Sequence, residues 1–257
     1  MRMRAAEFLG AEPGGDGTWR FTIGEALHGA FGGAFGGVVA AAAIMTARSV
    51  AERRRPAALD IRFLRSLPAG TATATPTLLH AGRTLSCVSV DVTTDDGRLA
   101  ARATVSLVAD TALASVDRPD DERPAPSYDE GRSWPPVGAP IIETLEPRTV
   151  AWPERGEAVA LRVPWDDVEQ TSAEAACLPG DMCVGPPVVF EPACRGLAHP
   201  NPDLALRFAA PITSSEVIGL GRLERVCHGL ATVAVEVWSG GHLVAIGAST
   251  STLLARR

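Results

Sequence analysis

The sequence of 257 residues predicts an α+β protein in two copies, each a long helix followed by an antiparallel meander. Two observations carry this. An alanine-rich, helix-forming run gives way to segments with strand alternation, and the same order of elements returns about 145 residues later.

The helix of the first copy spans residues 38–50 (VVAAAAIMTARSV), which are free of Gly and Pro and open after FGGAFGG. Residues 58–65, 85–93 and 99–108 read as strands, and the second alternates with period two. Asp95, Asp96 and Gly97 supply a hairpin turn between the last two. Residues 71–79 form a further strand, in which Pro76 marks an edge or a bulge because proline cannot donate to a ladder. The arginine run Arg53, Arg54 and Arg55 is expected to cap the helix end, where cations oppose the negative pole of the dipole.

The second copy repeats specific letters. Arg62-Phe63 returns as Arg207-Phe208, with a proline soon after in each case (Pro68, Pro211). Val90-Asp91-Val92 returns as Val235-Glu236-Val237, and Gly97-Arg98-Leu99 as Gly241-His242-Leu243. Carrying the offset back to the helix places its second version in GDMCVGPPVVFEPACRG, where Pro186 and Pro187 can occupy a first turn but Pro192 should shorten or kink it. The expected division is an N-terminal unit at 1–112, a linker rich in Pro and Asp at 113–140, and a C-terminal unit at 141–257.

Composition removes several function classes. All 24 basic residues are arginine, which excludes Schiff-base and P-loop lysines. With a net charge of −6 and scattered arginines, a surface that tracks nucleic-acid phosphates is not expected. Five cysteines without a C-x-x-C pair read as reduced and mostly buried, so no metal site or disulfide framework is expected. No run has signal-peptide or membrane-spanning character, which gives the expectation of a cytoplasmic protein with no membrane partner. FGGAFGG lacks the spacing of a dinucleotide fingerprint, and neither a G-x-S-x-G elbow nor a metalloprotease helix motif occurs.

The residues that open the first helix, Ala34-Phe35-Gly36-Gly37-Val38-Val39, together with Arg62-Phe63-Leu64-Arg65 and Gly82-Arg83-Thr84-Leu85-Ser86, resemble the double-hotdog acyl-CoA thioesterases of the TesB-like, type II family. The resemblance covers both halves outside the linker. It implies two fused hotdog repeats with continuous sheets, an acyl-CoA thioester held between two helices, and hydrolysis to free acid and CoA without metal or prosthetic group. It also implies a homo-oligomer.

Of the family's catalytic Asp, Gln and hydroxyl, the Asp corresponds to Asp203. The Gln position counts to Ser249, with Thr250 beside it, and Arg225 follows Glu224 where the hydroxyl would stand. The catalytic candidates are therefore Asp203, Ser249 and Thr250, with the two hydroxyls able to donate in place of the amide. Turn chemistry in Pro-Asn-Pro-Asp and ordinary strand alternation explain the same residues without function. Phe35, Gly36, Gly37 and His28 are the candidates for substrate binding, since glycines at a helix start let N–H groups approach a carbonyl oxygen. The same glycines also serve close packing. Glu191 and His228 stand in reserve. The expected activity is direct attack by water on an acyl-CoA. The departures from the family pattern motivate the rival reading, an acyl-thioester binding or scaffold protein, and a hydratase on the same fold ranks third.

Overall fold

The computed structural model describes residues 3–116, 124–135 and 138–255. The N-terminal half consists of α1 (Ala5–Phe8), β1 (Ala11–Pro13), β2 (Trp19–Ile23), α2 (Gly36–Ser49), β3 (Arg55–Phe63), β4 (Gly70–Ala81), β5 (Leu85–Thr94) and β6 (Leu99–Val108). The C-terminal half consists of β7 (Arg132–Ser133), α3 (Pro140–Leu145), β8 (Arg148–Trp152), β9 (Gly156–Arg162), α4 (Ser172–Met182), α5 (Gly185–Val189), β10 (Leu197–Ala198), β11 (Asp203–Phe208), β12 (Glu216–Cys227), β13 (Leu230–Ser239), β14 (His242–Thr252) and β15 (Leu254–Ala255).

Among the described residues one sheet of 13 strands runs β1-β2-β4-β5-β6-β3-β11-β14-β13-β12-β9-β8-β7. Its centre is the antiparallel pair β3 and β11, with Asp203 opposite Arg62 and Leu206 opposite Leu59. Outward from that pair the two arms match strand for strand, and only β7 has no counterpart. Each arm wraps one helix, α2 against β3 to β6 and α4 against β9 and β11 to β14. The two helices pack on each other. This is the double hotdog that the resemblance implied.

Why these residues make these layers follows from volume and alternation. Ala40, Ala41, Ala43 and Ala47 of α2 are fully buried, and such small side chains let a curved sheet close on the helix. On β5, Val88, Val90 and Val92 face the helix while Ser89 and Asp91 turn outward. The repeated turns share a left-handed glycine, Gly97 at φ 77° and Gly241 at φ 83°. Pro76 lies beyond the last β4 residue paired to β2, so its missing donor costs no ladder bond, and a register shift follows between Leu78 and His80.

Three sequence expectations are corrected. The second helix is not the proline-broken segment. It lies upstream as α4, followed by the separate short α5, and Pro192 opens a 3-10 turn outside both. The strand offset fails there because the second copy carries a long excursion between helix and strand, where the first passes from α2 to β3 through residues 50–54. The arginine run does not cap α2, whose last turn carries Arg48. Arg54 instead donates to the Gly82 carbonyl and Arg55 to Asp110. Part of the expected linker belongs to the C-terminal half: Tyr128 packs in a small core with Trp152 and Trp238, and β7 pairs with β8. Residues 117–123 and 136–137 of that linker lie outside the described residues.

The cysteines are free, with Cys177, Cys183 and Cys194 buried and Cys87 and Cys227 half-buried. Among the described residues no cluster of His, Cys, Asp or Glu is arranged to hold a metal ion. No helix among the described residues is long and apolar enough to cross a membrane.

Candidate active site

The N-terminus of α2 and the C-terminus of α4 meet at a cavity of about 970 Å³ walled by both halves of the chain. α2 begins without a side-chain cap, since Phe35 holds the cap position in extended conformation. The loop before it is pinned by main-chain bonds, Ala34 N–H to Leu67 O and Phe35 N–H to Leu27 O, both 2.8 Å. The free N–H groups of the first turn therefore point out of a rigid scaffold, with the positive end of the helix dipole behind them.

One of those groups has an anionic partner. Gly37 N–H donates to Asp181 Oδ2 at 2.9 Å, and Asn201 Nδ2 donates to Asp181 Oδ1 at 2.7 Å. The glycines make this approach possible. A Cβ on Gly36 would lie 2.8 Å from Asp181 Oδ2, and one on Gly37 would lie 2.7 Å from the Cys177 carbonyl oxygen. The N–H of Gly36 has no acceptor among the described residues, and the residue lines the cavity.

Asp181 is 6% exposed, and burial pushes its carboxyl up to about 6, opposed by the hydrogen bonds from Asn201 and Gly37. Burial disfavours the charged form, while donors aimed at the carboxylate favour it. The result is a carboxylate ionised at neutral pH yet basic enough to accept a proton from water. One turn further into the interface, Cys177 is buried and its thiol is pushed up by burial, so it acts as packing. Two turns back, Glu174 is also buried and accepts from Arg48 at 2.8 Å. That pair ties α4 to the far end of α2.

Phe35 and Gly36 line the cavity, and Gly37 reaches it through Asp181. His28 does not line it. The His28 carbonyl accepts from Ile141 N–H, and its Nε2 is buried without a partner among the described residues. Asp203, Ser249 and Thr250 come together, but elsewhere. Alternation with the fully buried Leu204 and Leu206 turns Asp203 away from the helices. There it accepts from Arg62 at 3.0 Å and from the Thr250 N–H at 2.7 Å. Ser249 donates its hydroxyl to the Asp203 carbonyl at 2.6 Å, and Thr250, next along the strand, faces the opposite side of the sheet. None of the three lines the cavity. Glu191 caps the turn at Ala193, and His228 sits in a left-handed hairpin position.

Asp181 was missed because the strand offset directs attention to Asp203 and treats the second helix as degenerate. A signal existed. Glu174 and Asp181 stand seven residues apart in an otherwise small and apolar run, which places both carboxylates on one buried helical face.

The comparisons bear on this geometry. Residues 25–108, which contain the start of α2, match the family model of the acyl-CoA thioesterase N-terminal domain. The whole fold is similar to solved hotdog structures. An acyl-CoA thioesterase II TesB2 from Mycobacterium marinum is 19% identical, with 98% of each chain covered and a TM-score of 0.77. A tesB protein from Mycobacterium avium subs paratuberculosis is 19% identical, covering 97% of this chain and 98% of that one, with a TM-score of 0.74. A conserved hot dog protein from Alicyclobacillus acidocaldarius is 18% identical, with 98% of each covered and a TM-score of 0.78. No curated protein matches the sequence. The chain is thus a double-hotdog protein. Its residues 25–108 are similar to the acyl-CoA thioesterase N-terminal domain.

Proposed function

We propose that the protein hydrolyses acyl-CoA thioesters to free acid and CoA, with Asp181 as the general base. The observation that carries this reading is the buried Asp181 carboxylate facing the start of α2 inside a cavity large enough for an acyl-pantetheine arm. The acyl carbonyl oxygen would lie at the N–H of Gly36, where the helix dipole and a pre-oriented donor stabilise the charge that develops there. Asp181 would take a proton from a water that attacks the carbonyl carbon directly. The tetrahedral intermediate then collapses with loss of the CoA thiolate. General-base assistance of this kind supplies roughly 10²- to 10⁴-fold.

Phe31, Leu64, Val189 and Phe190 line the same cavity and are more than half exposed, an apolar rim suited to an acyl or pantetheine chain. A cytoplasmic location and self-association belong to the same proposal, the second testable by light scattering.

The test is thiol release from CoA esters, from acetyl to long-chain and aromatic, by the wild type and by Asp181→Asn. Turnover by the wild type with a loss of at least 100-fold in the variant supports the reading. Binding without thiol release over the whole panel would refute it in favour of the scaffold reading, and an active Asp181→Asn would remove Asp181 from the chemistry.

A further inference from the structure

We propose that Asn201 is a positioning residue of this site: it fixes the Asp181 carboxylate in the orientation needed to receive a proton from water. The inference rests on the role given to Asp181 above.

The argument begins with the segment that carries Asn201, Pro200-Asn201-Pro202. Two prolines restrict the backbone on either side, and both carbonyls are fastened. The Pro200 carbonyl accepts from Thr252 twice, from N–H at 2.9 Å and from Oγ1 at 3.1 Å. The Pro202 carbonyl accepts from Phe63 N–H at 2.8 Å, at the end of β3 in the other half of the molecule. Asn201 is thus held between the last long strand of one half and the central strand of the other, with its side chain reaching Asp181 at 2.7 Å. A carboxylate on a helix end can rotate about its terminal torsion. Here Gly37 N–H holds one oxygen and the Asn201 amide the other, so the plane of the group is set from both halves of the chain.

No other side chain among the described residues supplies such a bond to Asp181. On α4, Glu174 is committed to Arg48, and Cys177 and Cys183 donate to main-chain carbonyls of their own helix. On the cavity wall, Arg65 donates to the Leu99 carbonyl, Glu157 pairs with Arg132, and the His199 ring packs edge-on against Phe31. Since the donated bond favours the charged form of Asp181, its removal should move the acid limb of activity, which loss of packing alone would not do.

The experiment measures kcat/KM for acyl-CoA hydrolysis against pH for the wild type, Asn201→Ala and the isosteric Asn201→Asp. A His199→Phe background serves as control, because histidine is the other side chain that ordinarily changes charge in this range. The wild-type acid limb is expected near pH 6. In Asn201→Ala it should move up by about half a unit or more, with kcat reduced about tenfold at pH 7 and KM little changed. In Asn201→Asp the like charge should move it further in the same direction. A limb that stays in place in both variants while they remain folded and active would overturn the role of Asn201. Should Asn201→Ala fail to fold, the limb of Asn201→Asp alone decides. An active Asp181→Asn would instead overturn the reading of the site itself, so the two failures are distinguishable.

Discussion

Replacing Asp181 with asparagine is expected to abolish turnover and at the same time to stabilise the protein above pH 6. The carboxyl moves from 3.8 to about 6 on folding, mainly through burial. At 1.36 kcal/mol per unit, that corresponds to about 3 kcal/mol. Because the folded-state value is raised, the native state binds more protons than the unfolded chain between these pH values. The favourable contribution is therefore fully present below pH 3.8 and is lost as pH rises through about 6.

Asparagine at 181 removes the buried charge. Its carbonyl oxygen can keep the Gly37 bond, and a turn of the Asn201 amide lets Asn201 accept from the new NH₂. The value of about 6 already counts the two charge-assisted bonds that oppose burial, so the net gain at pH 8 should be about 2–3 kcal/mol. Urea unfolding at pH 5 and pH 8 measures it. The wild type should lose stability between the two pH values, and the variant should lose about 1 kcal/mol less, since pH 5 lies one unit below the folded-state value of about 6. A variant less stable than the wild type at pH 8, or an identical pH dependence in both, would refute the reasoning.

Three further outcomes are expected. Gly37→Ala would bring a Cβ within 2.7 Å of both the Cys177 oxygen and Phe35 Cε1. Overpacking of this kind should cost about 2 kcal/mol by chemical denaturation despite the better helix propensity of alanine, with kcat down at least about tenfold as Asp181 shifts; a variant as stable as the wild type would contradict the helix contact. Arg48→Ala leaves Glu174 buried without its cation, and should cost at least about 2 kcal/mol, less than a fully buried pair because Arg48 is 34% exposed. The double variant Arg48→Met/Glu174→Leu should recover much of that loss, and failure to do so would show that the ion pair itself, and not only the unpaired carboxylate, sets the cost. Asp203→Ala breaks the bonds to Arg62 and the Thr250 N–H. It should lower stability by about 1 kcal/mol and leave kcat/KM within about threefold, whereas a tenfold fall in turnover would return Asp203 to the mechanism.

Much of the fold was legible because strand alternation and helix composition are local signals. The segments 58–65, 71–79, 85–93 and 99–108 became β3 to β6 with shifts of a few residues at their ends, and the helix read as 38–50 became Gly36–Ser49. Of the letters shared between copies, Arg62-Phe63 and Arg207-Phe208 mark the two strands that end up paired at the centre of the sheet. What was not legible depends on packing between the copies. Asp181 meets Gly37 across 144 positions of sequence, and no periodicity reports that contact. Asp203, Ser249 and Thr250 do meet, yet strand pleating, which their spacing alone does not report, decides that they do so away from the cavity. Arg54 and Arg55 were misread because a basic run after a helix looks like a cap, while their partners, Gly82 and Asp110, come from distant turns.

A structure with an unreactive ketone analogue, in which CH₂ replaces the sulfur of an acyl-CoA, tests the whole account. The analogue's carbonyl oxygen should lie about 3 Å from the Gly36 N–H, with a water between its carbonyl carbon and Asp181. Density for the ligand on the outer face of the sheet beside Asp203 and Arg62 would contradict it.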